Sequence, residues 1–283
     1  MRVLITGAGG QLGKTIQNTI PQISKNTYVF ARHQDLDITD YQRLEDFIFN
    51  ENIDIIVNCA AYTDVDQAES DILAAELLNT TAPSFLAKIA YKKNAKLIHI
   101  STDYVFSGET SNPYRTTDKV SPKTVYGKTK AEGEKAIIQS KCNYLIIRTA
   151  WLYSTYGKNF VHTISSLISK HPEINVVSDQ FGSPTNAMDL ARFIIDIIED
   201  DKFHKGIYHY TNEGICSWYD FAKEIATLTG NKTCNVNPCN SKDYPRIAPR
   251  PSWSVLDKST TKDTFSTEIR NWKEALKDFI IKR

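Results

Sequence analysis

The opening thirteen residues limit this chain to few folds. Arg2-Val3-Leu4-Ile5-Thr6 is a short apolar strand that runs without a break into Gly7-Ala8-Gly9-Gly10-Gln11-Leu12-Gly13 and then into a helical pattern. Glycines at 7, 10 and 13 let the backbone turn tightly, come close to a diphosphate and pack helix on strand, while the helix N-terminus faces the anion. A glycine triplet alone is a weak signal. Placed at the first strand-to-helix turn, it points to a bound dinucleotide.

The rest of the first half keeps the alternation that such a turn requires. Strands are expected near residues 3–6, 27–31, 53–58, 97–101 and 144–149, and helices near 11–20, 41–50, 66–79, 83–93 and 125–140. Ile53-Asp54-Ile55-Ile56-Val57 and Tyr144-Leu145-Ile146-Ile147 have the apolar, β-branched character of strands buried on both faces. Alternation of this kind predicts an α/β fold, a doubly wound parallel (Rossmann) sheet with helices on both sides. Beyond Trp151 the rhythm loosens, and helical patterns near 159–170, 187–199, 218–229 and 268–281 mix with short strands. A smaller, mixed α/β substrate-binding domain is expected there. The boundary is read as discontinuous: 1–152 with a returning segment near 183–212 form the dinucleotide domain, and 153–182 with 213–283 form the second.

The chemical centre lies between residues 96 and 130. Lys96-Leu97-Ile98-His99-Ile100 reads as a buried strand ending in Ser101-Thr102-Asp103-Tyr104-Val105-Phe106, so hydroxyls stand where a strand meets its loop, the usual ligand position in open α/β sheets. Further on, Tyr126 is followed four residues later by Lys130, which puts phenol and ammonium on one helical face. A free phenol titrates near ~10, and lowering that by ~3 units takes roughly 4 kcal/mol. One ammonium at ~4 Å and an effective dielectric of ~20 supplies about that much. The pair is therefore expected to form an acidified tyrosine.

Four segments in this order, Gly7-x-x-Gly10-x-x-Gly13, Asn58-Cys59-Ala60-Ala61-Tyr62-Thr63, Ser101 to Phe106, and Tyr126-x-x-x-Lys130, resemble the extended short-chain dehydrogenase/reductases. Arg148-Thr149-Ala150-Trp151-Leu152-Tyr153, Asp179-Gln180-Phe181-Gly182-Ser183-Pro184-Thr185 and Arg250-Pro251-x-x-Ser254-x-Leu256-Asp257 narrow the resemblance to the branch that reduces a C4 ketone on nucleotide-linked 6-deoxysugars. That resemblance implies an NAD(P)H-dependent reductase with Tyr126 as proton donor, Lys130 tuning it and holding the nicotinamide ribose, and Thr102, rather than Ser101, holding the substrate oxygen. It implies cofactor contacts from Gly7, Gly10, Gln11, Leu12 and Gly13, and places Ala60, Ala61 and Tyr62 beneath the ribose and diphosphate. Asp37 and Ile38 match its adenine-contacting pair. Substrate contacts are implied for Thr102, Asp103, Tyr104, Trp151 and Arg250, with Arg246 nearby. Arg32 at the end of the second strand, with no acid there, favours a 2′-phosphate and hence NADPH, with NADH possible.

Other classes are argued against. A net charge of +1 offers no polyanion footprint, so nucleic acid is not an expected partner. No apolar run suits a membrane span, and the first residues read as a strand rather than a signal peptide. Five scattered cysteines read as reduced thiols of a cytoplasmic protein, and six histidines form no ligand motif. The acids Asp64, Asp66, Glu69 and Asp71 suit a helix N-terminus better than a calcium loop. Some relatives of the branch are expected to dimerise around magnesium held by acids, including one early in the first helix; Lys14, Thr15 and Gln17 stand there, so magnesium is not supported, and a monomer or metal-free homodimer is expected. The polar loop 107–122 has the length of a flap. Two rivals are kept: a nucleotide-sugar dehydratase or epimerase of the same superfamily, set back because no glutamate follows Thr102-Asp103, and a non-catalytic nucleotide-binding regulatory subunit, set back by the presence of Thr102, Tyr126 and Lys130.

Overall fold

The sequence alternation becomes a six-stranded parallel sheet in the structure, a computed structural model that describes residues 1–282. Strands β1 (Arg2–Thr6), β2 (Thr27–Ala31), β3 (Ile55–Asn58), β4 (Lys96–Thr102) and β5 (Asn143–Thr149) are joined by the strand Gly206–His209. The order across the sheet is Gly206–His209, β5, β4, β3, β1, β2. Side chains alternate between the faces, as the pleat dictates. Val3, Ile5, Val57, Ile98 and Ile147 pack with Leu12, Ile16, Leu190 and Ile194 of helices Gln11–Gln17 and Ala187–Glu199. Leu4, Ile56, Leu97 and Ile146 pack on the other face with Leu44, Leu86 and Ile137 of helices Tyr41–Asn50, Ala82–Lys93 and Val125–Gln139. Burying each such side chain stabilises by ~1.5–3 kcal/mol, which is why the apolar run of each strand sets its place.

Two consequences position a site. The strand order reverses between β1 and β3, which opens a crevice at their carboxyl ends. The second face also turns polar at that end: Thr6 lies in register with Asn58, Asn58 with His99, and Ser101 with Arg148. Beside the sheet, a third apolar cluster (Tyr153, Val161, Ile164, Phe221, Ile225, Leu276) joins helices Phe160–Ile168, Trp218–Leu228 and Trp272–Ile281 to the parallel pair Glu173–Val177 and Asn235–Cys239.

The structure departs from the sequence expectations in three places. The helix expected at 66–79 is two short pieces, Val65–Ala68 and Ile72–Glu76, followed by a π-turn Leu77–Thr81. The turn aims the Asn79 amide at the Tyr62 backbone and at Thr129, fastening the loop after β3 to the helix of Tyr126. The 107–122 loop is pinned at Tyr114 and contributes no residue to the cleft described below. Tyr114 is buried and stacked on Phe106 at 4.2 Å, its N–H donates to the Val255 carbonyl at 2.8 Å, and the Asp257 N–H donates back to the Tyr114 carbonyl at 2.8 Å. The third departure is helix Ser259–Phe265, which no pattern announced.

Candidate active site

A cleft of about 1100 Å³ runs from the glycine turn along the carboxyl ends of the strands to the third cluster. That exceeds the ~300–1,000 Å³ of ordinary single-ligand pockets. Its floor at one end is Gly7, Gly9, Gly10, Gln11 and Leu12, with Ala60 and Ala61 beside them. Gly7 has φ of +65°, and a side chain there would meet the Ala60 backbone at 2.5 Å. Arg32 lies over Gly9, and Ile38 lines the same end with Leu36 and His33. The Gln11 Oε1 accepts from Ser154 and Asn159 at 3.1 Å each, so the glycine turn is tied to the chain that leaves Trp151.

Gly13, Asp37 and Tyr62 stand behind this wall rather than on it. Gly13 is required because a Cβ would meet the Gly7 carbonyl at 2.5 Å. The Asp37 carboxylate accepts from both the N–H and the hydroxyl of Thr39, which holds it below the usual carboxylate range. The Tyr62 backbone is bonded to Asn79 and its phenol donates to Asp71 at 3.2 Å. Asp40 and Asp64 are helix caps, accepting from Arg43 and Gln67 N–H groups.

At the middle of the cleft, Thr102, Asp103, Tyr104, Tyr126 and Lys130 share one wall. Thr124 caps helix Val125–Gln139 by accepting from the Gly127 N–H at 3.0 Å. Gly127 lets that helix press onto the turn after β4, since a Cβ there would meet the Tyr104 carbonyl at 2.2 Å. Tyr126 thereby lies edge-on to Tyr104, centroids 5.5 Å apart. The two neighbouring hydroxyls are used differently. Ser101 donates to Glu134 at 2.5 Å, whereas Thr102 donates to Asp103 at 2.9 Å and neighbours the Tyr126 phenol.

The expected acidified phenol is not what the structure shows. Burial pushes Tyr126 up to about 12; the neighbouring Thr102 hydroxyl opposes the rise and the charge of Asp103 adds to it. Lys130 shares the helical face but reaches to β4, where its Nζ donates to the Ile100 carbonyl at 2.7 Å and meets His99 Nε2 at 3.3 Å. Burial lowers Lys130 to about 8, against the pull of Glu134 and Cys59. Asp103 rises to about 7 by burial, with Thr102 the main opposing contact and Ser254 a weaker one, and among the described residues its Oδ2 has no hydrogen-bond partner.

At the far end, Trp151 adopts φ of 51° and stacks on Trp218 at 3.5 Å, facing Phe160 and Gln180. Arg250 lines the cleft with Arg246, but its fork is held by Asp66 at 3.0 and 2.7 Å. Sequence reasoning missed Trp218 and Phe160 as wall residues, and no local signal marks them; Gln180 stands in the Asp179–Thr185 segment quoted above but was given no place in the wall. It also missed Glu134, which takes Arg148 in a buried pair at 2.9 and 2.6 Å. Glu134 stands four residues after Lys130 on the same face, and that spacing is a signal.

Sheet, glycine turn, strand-end hydroxyl and Tyr-Lys helix define the extended short-chain dehydrogenase/reductase class. Within it the chain belongs to the family described as RmlD substrate binding domain, which matches residues 1–283. A dTDP-4-dehydrorhamnose reductase of Aggregatibacter actinomycetemcomitans is 37% identical over 286 residues, covering 98% of this chain and 97% of the relative. The crystal structure of a dTDP-4-dehydrorhamnose reductase from Clostridium acetobutylicum superposes with TM-score 0.95 at 43% identity, covering 99% of each chain. One from Bacillus anthracis, in complex with NADP, gives TM-score 0.95 at 36% identity over 100% of this chain and 99% of its own.

Proposed function

We propose that the protein is a dTDP-4-dehydrorhamnose reductase, reducing the C4 ketone of dTDP-4-keto-6-deoxy-L-mannose to dTDP-L-rhamnose with NADPH, NADH being a possible substitute. The observation that carries this reading is the convergence, in one cleft long enough for two nucleotides, of a glycine turn at one end, an aromatic wall at the other and Tyr126, Thr102 and Lys130 between. The bare glycine floor, small Ala60 and Ala61, and apolar Leu36 and Ile38 fit a dinucleotide, and Arg32 fits a 2′-phosphate. A bound reduced nicotinamide supplies the hydride.

The chain's own residues do the rest. Thr102 turns to the ketone oxygen the one hydroxyl proton that Asp103 otherwise accepts, and Tyr126 protonates that oxygen as it gains charge, contributions realised mainly in the transition state. Lys130, on the helical face it shares with Tyr126, binds the nicotinamide ribose. Asp103, on the same wall of the cleft, accepts from a sugar hydroxyl. The stacked Trp151 and Trp218 face the apolar side and methyl of the deoxysugar, and Arg246 and Arg250 face the diphosphate. Residues 1–152 with 183–212 serve the cofactor, and 153–182 with 213–283 serve the nucleotide sugar. Among the described residues no helix is long and apolar enough to cross a membrane; we take the protein as a cytoplasmic enzyme, a monomer or metal-free homodimer.

Loss of NADPH absorbance with dTDP-4-keto-6-deoxy-L-mannose, beside its C3 and C5 epimers and non-thymidine analogues, tests the assignment. Fastest turnover with the L-manno thymidine substrate is expected. Oxidation with none of them would overturn it.

A further inference from the structure

Lys130 ends a buried polar row that crosses three strands. The Thr6 hydroxyl donates to Asn58 Oδ1 at 2.7 Å, the Asn58 amide nitrogen meets His99 Nδ1 at 3.0 Å, and His99 Nε2 meets Lys130 Nζ at 3.3 Å. All four side chains are at most 1% exposed. The direction of the row is fixed by a backbone group: the Ala60 N–H donates to Asn58 Oδ1 at 3.1 Å, so the Asn58 NH2 must face the imidazole. A nitrogen that accepts carries no proton, so a neutral His99 holds its single proton on Nε2, toward Lys130. Nζ then receives an N–H from one side while giving one to the Ile100 carbonyl on the other, an arrangement that closes for an amine and crowds an ammonium.

We propose that His99 is a positioning residue for Lys130: locked by Asn58 as the Nε2–H tautomer, it directs Nζ onto the Ile100 carbonyl and makes its positive charge easy to lose. The proposal rests on the reductase reading for its catalytic meaning only. Burial and Lys130 together hold His99 well below the ordinary imidazole range, so it stays neutral. The other groups around Lys130 do not replace it. Glu134 uses both oxygens on Arg148 and Ser101, Cys59 after β3 is pushed up to about 12, Tyr126 is raised to about 12, and Asp103 lies beyond β4.

Long-range proton–nitrogen NMR of the intact protein with labelled imidazoles reads the tautomer directly. His99→Gln assigns the signal among six histidines, and Lys130→Met, which perturbs the same ring, assigns it independently. The expected result is an Nε2–H ring that does not titrate between about pH 5 and 9. An Nδ1–H ring, or one that protonates in that range, overturns the proposal. His99→Gln also offers Nζ an acceptor, so Lys130 keeps its proton to higher pH and the basic limb of kcat/KM should move up by about one unit. An unmoved or lowered limb in the folded variant overturns it. The tautomer is read without substrate, so an Nε2–H ring in a protein that reduces no ketone supports this proposal and defeats the reductase reading alone.

Discussion

Arg148 and Lys130 are buried under the same corner of the sheet, 2% and 1% exposed, and the fold treats them in opposite ways. Arg148 projects from β5 and is gripped at two points by Glu134, capped by the Phe106 ring at 4.9 Å. Lys130, one helical turn before Glu134, is met by a carbonyl and a ring nitrogen instead of a carboxylate. The first cation is neutralised and serves the architecture. The second is left weakly supported at the cleft wall, and a charge that burial disfavours is one that chemistry can use.

The largest effect expected from this contrast is on stability. Glu134→Gln should cost ~3–5 kcal/mol in urea denaturation, because it strands a buried guanidinium. An unchanged midpoint would erase the distinction between the two cations. Asp103→Asn should come next. The folded state holds the Asp103 proton up to about 7, above the ordinary carboxylate value, so wild-type stability should fall as pH rises from the carboxylate range through about 7. The variant should lack that slope, a difference of ~2–4 kcal/mol above pH 7. Parallel pH profiles would contradict it.

Lys130→Met sharpens the contrast from the other side. Its folded pKa of about 8 lies below the ordinary lysine value, so the ammonium costs stability at every pH below about 8, and that cost fades as pH rises further. The variant should be more stable than wild type at neutral pH by ~1–3 kcal/mol, while losing turnover. Destabilisation there would make Lys130 a structural cation like Arg148. The smallest effect is at the glycine end of the cleft: Arg32→Ser should weaken NADPH about tenfold, ~1.4 kcal/mol, and NADH much less, by fluorescence titration. Equal loss for both would remove Arg32 from the 2′-phosphate.

The same contrast marks how far the sequence was legible. Strands, the glycine turn and the face shared by Tyr126 and Lys130 are local patterns, and β2, helix Tyr41–Asn50 and helix Ala187–Glu199 lie where periodicity puts them. The choice of Thr102 over Ser101 also has a physical counterpart, since Glu134 takes the serine. What could not be read is whatever depends on distant segments meeting. Trp218 comes to the cleft stacked on Trp151 and packed on Phe160, and Arg250 is held by an aspartate from the other half of the chain. The acidified phenol was misjudged for a related reason: helical spacing says that two groups share a face, while burial and the Ile100 carbonyl decide where Nζ goes and which form each group prefers.

The central claim is that Tyr126 gives its proton to a ketone oxygen in this cleft. Tyr126→Phe should bind NADPH as wild type does, yet oxidise it with dTDP-4-keto-6-deoxy-L-mannose at least ~10²-fold more slowly, the scale of a lost general acid. Turnover close to wild type in that variant would contradict the account.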